Sequence, residues 1–150
     1  MFAPYQERAA SELLRVCRPG GKIGLANWTP DGFVGDFFRT IGKHVPPPPG
    51  LKPPMLWGTE ERLRELFGEG TSSLQTTRRS FVFRYPSARY YVDFFRAYLG
   101  PLQRAFETLD KPGQDTLASD MEDLIHRYNR SDDETAVWPG DYLEVVATRR

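Results

Sequence analysis

Residues 12–28 read ELLRVCRPGGKIGLANW, and this stretch decides the fold. A helical pattern opens at Pro4 and runs to Arg18, with Ala9, Leu13, Val16 and Cys17 at helical spacing on one face. Pro19-Gly20-Gly21 stops it, because glycine supplies the left-handed cap and proline cannot continue the turn. Lys22–Trp28 is mostly apolar and short, the pattern of a strand buried on both faces. Helix, stop and buried strand make half of a parallel α/β unit, so the expected fold class is α/β.

Further elements follow outward from that unit. Thr29-Pro30-Asp31-Gly32 reads as a turn, and the helix after it places Phe33, Phe37 and Ile41 in one stripe. Residues 46–54, PPPPGLKPP, hold six of the thirteen prolines and form a stiff, extended loop. Thr59 caps a short helix that ends at Gly68, with Glu60 and Glu61 suited to its first turn. Ser73–Tyr85 reads as a strand, with Phe81, Phe83 and Tyr85 alternating against Val82 and Arg84. Ser87 caps an aromatic helix stopped at Gly100-Pro101, and a second helical stretch runs to Leu109. Lys111-Pro112-Gly113 reads as a turn before a helix over 115–129, whose Leu117, Met121, Leu124, Ile125 and Tyr128 face inward. After the polar loop 131–134, a short VW segment, a Pro139-Gly140 turn and a terminal strand over 141–148 close the chain. No internal repeat interrupts this order, so residues 1–150 read as one domain.

Composition limits the functional classes. The chain has 150 residues, with 20 Lys+Arg against 20 Asp+Glu, 39% hydrophobic residues and 13% aromatics. That mix is globular, since a disordered chain lacks aromatics and carries net charge. A net charge of zero gives no general attraction to nucleic acid or to an anionic membrane. The apolar runs are too short to span a bilayer, and no secretory leader is visible, so the cytoplasm is the expected compartment. The single cysteine, Cys17, excludes an internal disulfide and any multi-cysteine metal site.

The phrase from Glu7 to Ala26, LLRVCRPGGKIGLA at its heart, resembles class I S-adenosylmethionine-dependent methyltransferases. In that family a helix ending in a leucine-rich, PGG-stopped phrase leads into the fifth strand of the sheet. Cys17 stands here in a usually aliphatic slot, which a small buried hydrophobe tolerates. Pro139–Arg149, PGDYLEVVATR, resembles the family's last strand, and Met1–Pro4 resembles the segment after its fourth strand. The resemblance implies the C-terminal part of a Rossmann-like sheet, strands five to seven, with flanking helices. It places the terminal strand between the other two, antiparallel to the first.

What the resemblance implies about function divides in two. The family's glycine-rich cofactor loop and the acidic end of its second strand have no counterpart here. Gly20, Gly21 and Gly24 lie before and inside a strand, where they stop a helix and allow close packing. The resemblance therefore implies the C-terminal half of an enzyme, beginning at an internal methionine and lacking the first four strands. S-adenosylmethionine is the implied cofactor, with Phe2 and Ala3 the implied contacts and weak or no binding by this chain alone. A small molecule is the implied methyl acceptor. Its implied pocket is aromatic: Trp28, Phe33, Phe37, Trp57, Phe94 and Tyr98, with His44 at the end of its helix. Ring faces attract both a sulfonium cation and flat acceptors, and Trp28 sits at a strand's carboxyl end, where α/β sheets bind ligands.

The remaining chemistry-bearing residues read as structural. His44 and His126 are too few for a metal site, Cys17 reads as core, and the acidic residues of 120–134 read as solvated. No nucleophilic triad or phosphate loop is present. The strand Lys22–Trp28 would lack a fourth-strand neighbour, and its edge carries no proline and only Lys22 as a charge. The expected partners are a second copy of the chain or a complementing N-terminal chain. The contrasting reading is a non-enzymatic interaction protein that pairs through this open edge.

Overall fold

A computed structural model describes residues 2–150. In chain order the elements are α1 (Gln6–Val16), β1 (Lys22–Trp28), α2 (Phe33–His44), a 3-10 turn (Pro54–Gly58), α3 (Glu60–Phe67), β2 (Thr71–Tyr85), α4 (Ala88–Tyr98), α5 (Gly100–Thr108), α6 (Lys111–Tyr128) and β3 (Ala136–Arg149). The fold is mixed α/β, with one three-stranded sheet ordered β1-β3-β2. The last strand therefore lies in the middle. β1 is antiparallel to β3, with Lys22 opposite Thr148 and Trp28 opposite Tyr142. β2 flanks β3 on its other side, where the Ser73 hydroxyl bonds the Thr148 hydroxyl at 3.0 Å and Arg79 reaches Glu144 at 3.2 Å. That register is also antiparallel.

Four sequence readings need correction. KIGLANW is not a parallel strand buried on both faces: only Ile23 and Asn27 are buried, while Lys22, Gly24 and Ala26 are exposed. Gly24 and Ala26 count as apolar in a composition, but they have too little surface for exposure to cost much. In α1 the inward face runs through Gln6, Ala10, Leu13, Leu14 and Cys17, whereas Val16 is 66% exposed. Lys111-Pro112-Gly113 is the first turn of α6. Asp110 caps it by accepting the Gly113 N–H at 2.9 Å, and Pro112 suits a position whose N–H has no helical partner. Pro139-Gly140 is not a turn but the interior of β3. Buried residues are even-numbered from Ala136 to Gly140 and odd-numbered from Leu143 to Ala147, so the alternation slips by one residue between them. One inserted residue, a bulge, produces such a slip and accommodates a proline within a strand.

The chain divides into two compact units. The first comprises residues up to Gly32, Pro48–Ser80 and Asp141–Arg150. Its core lies between one face of the sheet and the helices α1 and α3, and includes Ala10, Ile23, Leu63, Phe67, Val145 and Ala147. The second comprises Phe33–Pro47 and Phe81–Gly140. There α2, α4, α5 and α6 surround an aromatic centre. Trp138 is fully buried, with ring centroids of Phe33 at 4.9 Å, Tyr91 at 5.1 Å, Phe83 at 5.4 Å and Tyr85 at 5.8 Å. Among the described residues no helix is long and apolar enough to cross a membrane.

Candidate functional site

In the first unit, polar groups gather at the carboxyl end of β1. Thr29 ends the ladder there, its N–H and its hydroxyl both donating to the Asp141 carbonyl at 3.0 and 3.2 Å. Arg78 bridges Asp31 and Asp141, each at 2.9 Å. Its hydrogen bond holds the Asp31 carboxyl below the usual carboxylate range, against the opposing effect of burial. Asn27 is 1% exposed, and its amide nitrogen has no hydrogen-bond partner. Trp28 is half-buried and meets Tyr142 edge-on at 5.9 Å.

The 3-10 turn is pinned over this end of β1. Gly58 packs so closely on the Trp28 carbonyl that any Cβ would collide with it. Next to it Trp57 is buried against Phe67, and its indole N–H is also without an acceptor. Nearby, a polar staple ties the proline-rich loop and α3 to α1. The Gln6 amide donates to the Pro53 carbonyl at 3.0 Å and accepts from Arg62 Nε at 2.9 Å. Arg62 also pairs with Glu7 at 2.6 Å and Glu65 at 2.7 Å, and Lys52 adds a second cation on Glu7. Hydrogen bonds from Lys52 and then Arg62 lower the Glu7 carboxyl to about 2. Phe2 and Ala3, the implied cofactor contacts, are exposed.

In the second unit, Phe33 and Phe37 are buried in the aromatic centre. His44 is half-buried and places Nε2 2.7 Å from Asp120 Oδ2, joining the end of α2 to α6. Tyr128 ties the same two helices, its hydroxyl donating to Asp36 at 2.7 Å. Burial first, and then that hydrogen bond, push the Tyr128 hydroxyl up to about 12. Burial, and then the neighbouring Tyr85, push the Tyr91 hydroxyl up as well. Phe94 and Tyr98 instead lie on the outside of α4, in line with Tyr90, and Tyr98 is 75% exposed. A cavity of about 240 Å³ opens between α4, α5 and α6. Its charged lining is already satisfied internally: Arg89 pairs with Asp93 and Glu122, Lys111 with Asp115, and Arg96 bonds Gln114 and covers the Phe106 ring.

The proposed acceptor residues thus fall into three settings. Trp28 and Trp57 belong to the first unit, at the end of β1. Phe33, Phe37 and His44 are packed inside the second, and Phe94 and Tyr98 face solvent on it. Cys17 packs against the first unit's core, and His126 is exposed. Among the described residues no group of three or more His, Cys, Asp or Glu could hold a metal ion. Sequence reasoning missed Asn27, Arg62 and Asp120. Asn27 carried one usable signal, a polar residue in phase with Ile23 on an otherwise apolar strand. The other two are matched to partners more than fifty positions away, which no local pattern reveals.

No family model matches the chain. An uncharacterized protein of Mycobacterium tuberculosis (strain ATCC 25618 / H37Rv) is 38% identical over 132 residues, covering 85% of this chain and 48% of that protein. A second uncharacterized protein of the same strain is 42% identical over 108 residues, covering 71% of this chain and 39% of that protein. Counterparts in Mycobacterium bovis match equally. The chain spans about half the length of the curated relatives it matches, or less.

Proposed function

We propose that this chain is the C-terminal portion of an S-adenosylmethionine-dependent methyltransferase acting on a small-molecule acceptor in the cytoplasm. One observation carries the reading: the strand after the PGG stop lies at one side of a sheet whose middle strand is the chain's last, antiparallel to it. That is the order the resemblance implies for strands five to seven. The relatives' greater length is also in keeping with it.

The residues present do not by themselves fit the cofactor. β1 is followed by Thr29-Pro30-Asp31-Gly32 rather than a glycine-rich cradle, and Phe2 and Ala3 offer only exposed apolar surface. The cavity between α4, α5 and α6 is lined by ion pairs that already satisfy one another. The bound cofactor would supply a methyl group on a sulfonium for in-line displacement. This chain would contribute the carboxyl end of β1, with Trp28, Trp57 and the unpartnered Asn27 amide, as one wall of the acceptor site. Titration calorimetry with S-adenosylmethionine tests the reading. The intact M. tuberculosis relative is expected to bind with Kd on the order of 1 µM, and this chain alone to show no heat of binding. A relative that binds no cofactor overturns the proposal.

A second reading is favoured by the open side of β1: a non-enzymatic interaction protein that uses this edge and transfers no methyl group. Cofactor binding by the relative without transfer to any acceptor would favour it.

A further inference from the structure

Two buried donors of the first unit have no acceptor. Asn27 is 1% exposed and Trp57 3%, and among the described residues neither the Asn27 amide nitrogen nor the Trp57 indole N–H meets a partner. Both lie on the covered face of the sheet, at the carboxyl end of β1. Asn27 is in phase with buried Ile23 and faces Leu143 across the ladder, and Ile23, Leu143 and Trp57 share one buried cluster. Gly58 brings Trp57 there, because it lies against the Trp28 carbonyl with no room for a Cβ. A buried donor left unpaired costs free energy, so native interiors pair nearly all of them. Two at one end of one layer mark a site that another molecule completes.

The donors define the chemistry of that molecule. Both unpaired atoms only donate, so the occupant presents lone pairs. A water between two donors must itself donate twice, and the cluster it would face is built of Ile23, Leu63, Phe67 and Val145. A carbonyl oxygen takes two donors on its two lone pairs and has no proton to place. A carboxylate also accepts, but its buried charge needs a cation. The arginines at this end are already taken, Arg62 by Glu7 and Glu65, Arg78 by Asp31 and Asp141. The occupant is therefore neutral. The rings of Trp57 and Phe67, with centroids 6.2 Å apart, favour a flat body beside the donors.

We propose that this end of β1 binds a flat, neutral carbonyl compound, an aryl ketone or ester, whose oxygen accepts from the Asn27 amide and the Trp57 indole. The Pro54–Gly58 turn is the cover of the site. Its hydrogen bonds are local, from the Leu56 N–H to the Pro53 carbonyl at 3.1 Å and from the Thr59 N–H to the Leu56 carbonyl at 3.0 Å. The buried side chains of Met55 and Trp57 seat it on the sheet, and exposed residues 48–53 leave its approach open. Asn27 then sets specificity, since a ligand without the oxygen leaves a buried donor unpaired. The inference deepens the function proposed above and rests on its placing of the acceptor wall here: the methyl acceptor carries the carbonyl.

Heteronuclear NMR titration of the full chain with acetophenone, benzoate and toluene tests it. Acetophenone is expected to shift the Asn27 side-chain amide and Trp57 indole signals, with Kd on the order of 1 mM for so small a ligand. Benzoate, which is charged, and toluene, which lacks the oxygen, should each bind about tenfold more weakly or worse. Asn27→Leu removes the unpaired donor, so it should fold at least as stably while losing the preference for acetophenone over toluene. Trp57→Phe should weaken acetophenone about tenfold. Toluene binding as tightly as acetophenone, a preference for benzoate, or no shift at either group each overturns the inference. So does an unchanged preference in Asn27→Leu, or a water retained on both donors at saturating acetophenone. Acetophenone bound at Asn27 while the intact relative binds no S-adenosylmethionine keeps this site and sinks the methyltransferase reading. Cofactor binding by the relative, with no acetophenone at Asn27 in this chain, does the reverse.

Discussion

The two units solve the burial problem in opposite ways. The second gathers rings from α2, β2, α4 and β3 around Trp138, so that large aromatic side chains close on one another. The first has a mainly aliphatic layer on one face of the sheet, with Gln6 and Arg62 sealed at its margin. They also differ in what they leave uncovered. The second unit exposes side chains, the Tyr90, Phe94 and Tyr98 stripe, whereas the first exposes backbone along β1. Exposed rings cost a helix little, but unpaired strand groups on a flat, small-residue edge invite another strand.

The largest expected effect tests the closed aromatic centre. Trp138→Ala leaves a cavity where four rings now meet, and should cost about 3–5 kcal/mol in urea unfolding. A loss below about 1 kcal/mol would mean that the centre is loosely packed. Arg62→Ala comes next, because it strands the Gln6 carbonyl oxygen and removes the cation shared by Glu7 and Glu65. About 1–3 kcal/mol is expected, and a Gln6→Leu, Arg62→Leu double variant should recover part of it.

Acid sharpens the comparison further. The Glu7 carboxyl is lowered from its ordinary 4.5 to about 2, so the folded state favours the charged form. Its contribution is present above pH 4.5 and is lost as pH falls from 4.5 towards 2. Glu7→Gln should flatten the acid limb of the stability profile in that window, by lowering stability above pH 4.5 while leaving it little changed near pH 2. Base acts on the second unit. Tyr128 is raised from 10.0 to about 12, so its contribution is complete below pH 10.0 and fades as pH rises towards 12. Tyr128→Phe should remove that dependence. The smallest effect is expected on the outside of α4, where Phe94→Ser or Tyr98→Ser should change stability by no more than about 0.5 kcal/mol. A larger loss would show that the stripe is packed in solution.

Punctuation and period made most elements legible. Thr59 and Ser87 cap their helices as their residue types suggest, accepting the N–H of Arg62 and of Tyr90. Phe33, Phe37 and Ile41 face the core, as a 3.6-residue period requires. Reading failed where a local signal has two structural uses. Pro-Gly makes a turn in isolation but tolerates a bulge within a long strand, and Lys-Pro-Gly after an aspartate opens a helix as readily as it bends a chain. For the candidate site, Trp28 was legible as an aromatic at the carboxyl end of a strand, whereas the pinning of the turn that carries Trp57 over that end was not. The separation of Phe33 and Phe37 from Phe94 and Tyr98 was not, since all lie in aromatic-rich helices and only packing decides which side is inside.

By itself the sequence determined the α/β class, the helix-stop-strand unit at Glu12–Trp28, the zero net charge and the scarcity of histidine and cysteine. Each is a property of neighbouring residues or of composition, and needs no knowledge of distant contacts. The tertiary structure decided the central place of β3, the phase that turns the Gly24 and Ala26 backbone outward, and the pairings of Gln6 with Arg62 and His44 with Asp120. These depend on segments more than fifty residues apart meeting in one register. Strand pairing is made by backbone groups common to nearly every residue, so the sequence specifies it only through the side chains that must end up on the covered face.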